Sequence, residues 1–322
     1  MSDPAQIARI LQKLRKLRVE TNREGAFSAH FDRLLTRDDE GKLLATPQRF
    51  SDGRETRGVM VIDGPGGGKT TLISRALERH PAVGSSVPGG KRYIEASVPS
   101  PASLKSMGHA LLERSGYPVV GAGGDARSSW GTVGARCKNL GITTVCIDEA
   151  HDLFCADKNL ILRSIKSLMQ GENALIVILV GTERLREIVR SDQQLQRRFS
   201  TLILPPVTEA TDAPMFQDVI NQYCRVAELL PPMEDDLVPR LFRAARYRFG
   251  RCIETVIGAI EHALNERAPR LDMNHFAWFW GMQEGCSLGE NIFLATHWAQ
   301  IDPDREDEDD FIERVRNRRR RK

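Results

Sequence analysis

The sequence predicts an α/β fold, a mostly parallel five-stranded sheet covered on both faces, followed by a C-terminal helical domain. Three observations carry that expectation. Short apolar runs such as "GVMVID", "TTVCID" and "ALIVILVG" alternate with helix-length segments between residue 58 and residue 206, the pattern of parallel strands joined by helical crossovers. A glycine-crowded stretch links the first of these runs to the helical "KTTLISRALERH". After Pro205 and Pro206 the strand signals stop and only helical periodicity remains.

Taken in order, Ile7, Ile10, Leu11, Leu14 and Leu17 recur at helical spacing among basic residues. Such a helix can pack against the main body or a neighbouring subunit, or stand as a solvated arm. Residues 21–57 mix short apolar pieces with glycine and charge, so 1–55 reads as an N-terminal lead-in. The main α/β domain then spans 56–206. Within it, strand "GVMVID", the glycine loop and a helix lead to "KRYIEASVP" and the helical "PASLKSMGHALLERSG". A Gly/Ser-rich loop near 118–131, a helix and "TTVCID" follow. Helices around 158–170 and 184–194 flank "ALIVILVG", and "STLILPP" closes the sheet. Segments 214–230, 234–248 and 251–267 form a helical lid over 207–300, with Pro231-Pro232 between the first two. Residues 301–322 form a charged tail, where "RNRRRRK" ends the chain shortly after "DREDEDD". That tail reads as a solvated end, with a contact segment for DNA or a partner as the alternative.

The 322-residue chain is 41% hydrophobic and 28% charged, which suits a soluble globular protein of one large core or two modest domains. Its apolar runs are interrupted far short of a membrane span, and the N-terminus lacks the apolar centre of a secretory signal. A cytoplasmic protein is the expectation. Six cysteines without a C-x-x-C pair give little support to a zinc site or a disulfide framework. The net charge of +3 does not by itself argue for nucleic acid.

The chemistry concentrates in "DGPGGGKTT". Glycine lets a loop curve tightly with its N–H groups facing inward, and the following helix aims its N-terminal donors at the same point. Gly64, Pro65, Gly66, Gly67 and Gly68 therefore form a phosphate cradle, with Gly66 and Gly68 carrying the curvature. Lys69 is placed for the outer phosphates and Thr70 for Mg²⁺, with Thr71 supporting the helix or nearby phosphates. The strict motif opens with glycine; here that position is Asp63, which bears on loop geometry and affinity. "TTVCIDEAH" supplies the second half. Asp148 suits the metal shell and Glu149 the polarisation of an attacking water.

Three further groups are candidates. Thr182, beyond the strand in "ILVGTERL", is placed to position the water or to cap a helix. Arg197 or Arg198 in "DQQLQRRFS" can reach across a subunit boundary toward a neighbour's γ-phosphate, Arg198 being closer to the strand. Arg251 in "YRFGRCIETVIGA" can sense nucleotide from the lid, with Arg248 competing. A surface ion pair or solvated charge is the plain alternative for each arginine.

The order of phosphate loop, Asp-Glu strand, polar sensor, paired arginines and helical lid resembles the AAA+ P-loop ATPases. Within them, "DGPGGGKTT", "ASVPSPASLKSMGHALLERSG", "TTVCIDEAHDL", "ILVGTERL" and "DQQLQRRF" resemble the TniB/TnsC-type transposition regulators over roughly residues 30–270. That resemblance implies an ATP- and Mg²⁺-dependent homo-oligomer, ring or filament, that assembles on double-stranded DNA. It further implies recruitment of a DDE-type transposase, in some cases with a target-selection protein, and hydrolysis that controls disassembly. It marks Thr182 as a first sensor, Arg197 or Arg198 as the arginine finger and Arg251 as a second sensor. Lys105, and a basic cluster of Arg127, Arg136 and Lys138 around a helix start, become candidate DNA contacts, against a simple solvating role. A helicase loader or replication initiator of the same superfamily is the leading alternative, and a non-DNA scaffold or secretion-associated ATPase the other.

Overall fold

A computed structural model describes residues 4–17, 19, 21–118, 126–153 and 158–304, with the side chains of 126–128 and 158 outside that description. The charged tail beyond residue 304 and part of the Gly/Ser-rich loop lie outside it. The chain divides into two units, Met1–Val19 with Pro206–Lys322, and Glu20–Pro205. The lead-in over 1–55 is therefore shared between them.

Helix α1 (Pro4–Lys16) buries Ile7, Leu11 and Leu14 on one stripe. The stripe is used inside the helical unit, in one core with Phe216, Phe242, Val256 and Ile260. This differs from the three roles its periodicity allowed. An amphipathic helix needs an apolar surface, and residues far along the same chain provide one.

The sheet unit begins with α2 (Asn22–Phe31), whose Phe27 and Phe31 stack with ring centroids 5.6 Å apart. A short antiparallel pair, β1 (Leu35–Arg37) and β2 (Leu43–Pro47), follows. The main elements are β3 (Gly58–Ile62), α3 (Lys69–Arg79), β4 (Tyr93–Ser97), α4 (Leu104–Arg114), α5 (Ala126–Leu140), β5 (Thr144–Asp148), α6 (Ala150–Leu153), α7 (Lys158–Leu168), β6 (Ile176–Gly181), α8 (Glu183–Arg190), α9 (Gln193–Gln196) and β7 (Phe199–Ile203). The five long strands lie in the order β4-β5-β6-β3-β7, all parallel.

Every residue of β3, β5 and β6 is buried, which is why these strands read as unbroken apolar runs. Their side chains still alternate between two cores. Met60, Ile62, Val145, Ile147, Val177 and Leu179 face one, and Val59, Val61, Cys146, Ile176, Ile178 and Val180 face the other with Phe27, Phe31, Ile73 and Leu77. Register aligns Ile62 with Gly181 and Ile147 with Leu179. The C-terminal ends of three adjacent central strands thus meet at one edge, where parallel α/β sheets place their ligands.

The helical unit continues with α10 (Glu209–Ala227), α11 (Leu237–Ala244), α12 (Phe249–Glu266) and α13 (Met273–Glu284). Helix α10 starts five residues before Pro214, the start expected from sequence. The Asp212 carboxylate accepts the Thr208 N–H at 2.7 Å, so a turn forms ahead of the proline. Among the described residues no helix is long and apolar enough to cross a membrane.

Candidate active site

The loop between β3 and α3 is built around two left-handed glycines, Gly66 at φ 73° and Gly68 at φ 85°. Gly68 is also the N-cap of α3, so the helix's unpaired N–H groups open into the loop. Lys69 is buried, its ammonium donating to the carbonyls of Asp63 (3.1 Å) and Gly64 (3.0 Å). Two of its three donors are used, which leaves one for an anion. Pro65 and Gly66 are exposed on the rim, and Thr71 is exposed on the first turn of α3.

Asp63 has a role its sequence position did not suggest. Its buried carboxylate accepts the Gly64 N–H at 2.7 Å, while its own N–H donates to Gly181 of β6 at 3.2 Å. A Cβ on Gly67 would stand 1.9 Å from Asp63 Oδ2. Gly67 is therefore required sterically, in addition to the curvature set by Gly66 and Gly68. Arg23, on α2, donates to the Gly67 carbonyl at 3.3 Å and to the Pro205 carbonyl at 2.6 Å. No sequence motif marks Arg23; the contact joins positions that meet only in the fold.

Across from the loop, Thr70 Oγ1 donates to Asp148 Oδ2 at 2.6 Å. Asp148 is buried, and its other oxygen accepts the Glu149 N–H at 2.8 Å. A hydroxyl and a carboxylate side by side beneath a phosphate-type loop are a suitable donor set for Mg²⁺, an ion that takes few protein ligands and keeps water. Glu149 itself is left-handed (φ 52°), a conformation that costs a non-glycine residue about 1 kcal/mol or more. That turn carries the chain from β5 into α6, and its carboxylate is 45% exposed. The neighbouring His151, the fourth residue of the quoted "DEAH", was not among the sequence candidates. Its Nδ1 lies 3.3 Å from Glu149 Oε2.

Thr182 occupies the N-cap position of α8 with extended backbone, but its side chain makes no capping hydrogen bond. The capping alternative is thus not used, and the hydroxyl stands beside the end of β6. The two arginines separate. Arg198 is buried, its guanidinium paired with Glu55, and its backbone carbonyl accepts the Gly58 N–H at 2.9 Å. Arg197 also touches Glu55, at 3.2 Å, yet its side chain is 62% exposed. Burial opposes ionisation of Glu55, but Arg198, the Ser51 hydroxyl and Arg197 together hold its carboxyl below the ordinary carboxylate range. The preference for Arg198 as the residue reaching outward does not fit this placement; Arg197 is the one at the surface.

This separation gives an expected result. Arg198→Ala would remove the main partner of a partly buried carboxylate and lower stability by about 1–3 kcal/mol. Arg197→Ala would cost about 1 kcal/mol or less. It would nonetheless cut assembly-stimulated hydrolysis by about 10³-fold if it serves a neighbour's site. Thermal melts alongside turnover at rising protein concentration check both.

Arg251 lies in the first turns of α12, in the helical unit, partly buried. Of the basic candidates, Lys105 opens α4 and is partly exposed, and Lys138 is exposed near the end of α5. Arg127 begins α5, and its side chain lies outside the described residues. Along α5 the backbone positions of Arg127 and Arg136 are roughly 13 Å apart. Arg136 is also tethered, donating to the Ser115 carbonyl at 3.1 Å beside the Tyr117 ring.

A parallel five-stranded sheet in this order, a phosphate-type loop after the inner strand β3 and a following helical unit define the fold of the AAA+ P-loop ATPases. The chain is similar to Cdc6p from Pyrobaculum aerophilum at 11% identity, over 86% of this chain and 73% of that one, with a TM-score of 0.59. It is also similar to the Aeropyrum pernix ORC1 protein, solved in complex with DNA, at 18% identity and a TM-score of 0.57. That match covers 75% of this chain and 65% of the ORC1 chain, just under two thirds of it. The Aeropyrum pernix ORC2 protein, solved as ADPNP–ADP complexes, matches at 15% identity and a TM-score of 0.56, over 84% of this chain and 71% of that one. At these identities the likeness is one of fold. The particular family comes from the sequence: residues 41–209, just over half of the chain, match the bacterial TniB protein family, and the chain belongs to it. No curated protein sequence matches significantly.

Proposed function

We propose that this protein is an ATP-hydrolysing, DNA-associated regulator of transposition, which assembles on double-stranded DNA and recruits or activates a DDE-type transposase. The observation that carries the nucleotide half is the 2.6 Å bond between Thr70 and Asp148 beside a buried Lys69. The adjacent Lys69 and Thr70 meet Asp148, distant in sequence, at a space bordered by helix N–H donors, as phosphate and Mg²⁺ require. Membership of the TniB family supports the DNA and transposition half. The likeness to ORC1 and Cdc6 keeps a helicase loader or replication initiator as the second reading, on fold alone.

In this reading the backbone N–H groups of Gly66 and Gly68, with Lys69, hold the β- and γ-phosphates, Gly64, Pro65 and Gly67 shape the loop around them, and Thr70 and Asp148 hold Mg²⁺. When bound, Mg²⁺ supplies positive charge against the phosphate oxygens as the γ-phosphoryl group leaves. Glu149 accepts the proton of the attacking water, which the Thr182 hydroxyl helps to orient. Arg197 serves the site of an adjacent subunit, so turnover depends on assembly. Lys105 and Lys138 are the basic side chains offered to DNA phosphates, and such contacts tolerate many target sequences.

The test is purified full-length protein mixed with duplex DNA under ATP, ADP or no nucleotide, followed by sedimentation and electron microscopy. ATP-dependent oligomers on DNA are expected. Absence of DNA association under every condition would overturn the reading. Addition of a purified DDE-type transposase then tests recruitment, which is expected with ATP and lost with ADP.

A further inference from the structure

The left-handed turn at Glu149 delivers the chain into a helix of four residues whose Ala150 and Leu153 are buried against β6 and α8. These two anchors fix His151 between them. Its imidazole is largely buried, with Nδ1 3.3 Å from Glu149 Oε2, a close approach short of hydrogen-bond alignment, and Nε2 3.8 Å from Asp152 Oδ1. On its other side it abuts the end of β6, where a Cβ added to Gly181 would stand 3.2 Å from the same Nδ1. A glycine at that position leaves room for the ring. The next residue is Thr182, and the carbonyl of Gly181 accepts the Asp63 N–H that anchors the phosphate loop.

We infer that His151 is a positioning residue for Glu149. The imidazole holds an otherwise half-exposed carboxylate against the end of β6, so the proton acceptor and the Thr182 hydroxyl are held in one fixed relation. An exposed glutamate has several rotamers, and a general base is effective only when held within hydrogen-bond reach of its proton. The inference rests on the proposed hydrolysis and deepens it, because it assigns a role to a side chain outside the phosphate and metal sites.

The test compares ATP turnover and nucleotide affinity of the full-length protein on duplex DNA for His151→Ala, His151→Asn and His151→Gln. Asparagine places its amide nitrogen near the position of Nδ1, and glutamine near that of Nε2. Loss of the constraint misplaces the base, so His151→Ala is expected to lower kcat by about 10- to 100-fold. KM and the ATP dissociation constant are expected to stay within about twofold. His151→Asn is expected to restore most of kcat, and His151→Gln to behave like alanine. Turnover within about twofold of the parent in both alanine and glutamine variants would overturn the inference, as would a loss confined to KM. Asparagine no better than glutamine would also overturn it, and this pair, matched in chemistry, decides the matter if the alanine variant fails to fold. Glu149→Gln in parallel separates the two levels. If that variant is inactive while His151→Ala is normal, only the inference falls; if it turns over normally, the proposed hydrolytic site falls with it.

Discussion

Lys69→Ala is expected to weaken ATP binding by about 10²-fold or more, equivalent to about 3 kcal/mol. The ammonium is buried among backbone groups, so any phosphate it meets is shielded from water and the interaction is strong. Alanine removes that charge and also the donors to the carbonyls of Asp63 and Gly64. The second loss affects the empty loop as well as the loaded one, so a thermal melt without nucleotide must accompany the binding measurement. A small change in melting temperature with a large loss of affinity is expected. Affinity within about threefold of the parent would remove Lys69 from the phosphate site, since a buried charge contact is worth more than that.

Glu149→Gln is expected to bind ATP normally and to slow hydrolysis by about 10²- to 10⁴-fold, the range of a lost general base. The substitution preserves the shape of a half-exposed side chain whose left-handed backbone is held by the Asp148 carboxylate and by the Asp152 N–H. Folding is therefore little affected. If hydrolysis drives disassembly, this variant also keeps its DNA-bound oligomers long after ATP addition, whereas the parent releases them. Single-turnover phosphate release and DNA-bound fraction over time check both outcomes. Normal turnover in the variant would remove Glu149 from the chemistry.

The central strands were legible because burial on both faces favours apolar residues: "GVMVI", "TVCID" and "IVILVG" are almost wholly apolar, with Thr144 and the site carboxylate Asp148 at the ends of β5. The glycine loop was legible for a related reason, since left-handed backbone at Gly66 and Gly68 calls for glycine. The arginine pair separates for a physical reason as well. Arg198 is nearer the strand, and that nearness draws it into the sheet, where its carbonyl joins the ladder and its side chain is buried on Glu55. Arg197, one residue earlier, stays outside. Likewise, Arg127 and Arg136 look close in a list of basic residues but lie at opposite ends of one helix.

By itself the sequence determined the strand–helix order, the tight loop and the residue types at the ends of the strands, because these depend on local backbone geometry and on burial period. Only the tertiary structure decided which of those residues meet. The pairing of Thr70 with Asp148 and the bond from the Asp63 N–H to the Gly181 carbonyl both depend on sheet order and register. Such contacts join elements far apart in the chain, and no local pattern of residues encodes which neighbour a strand will take.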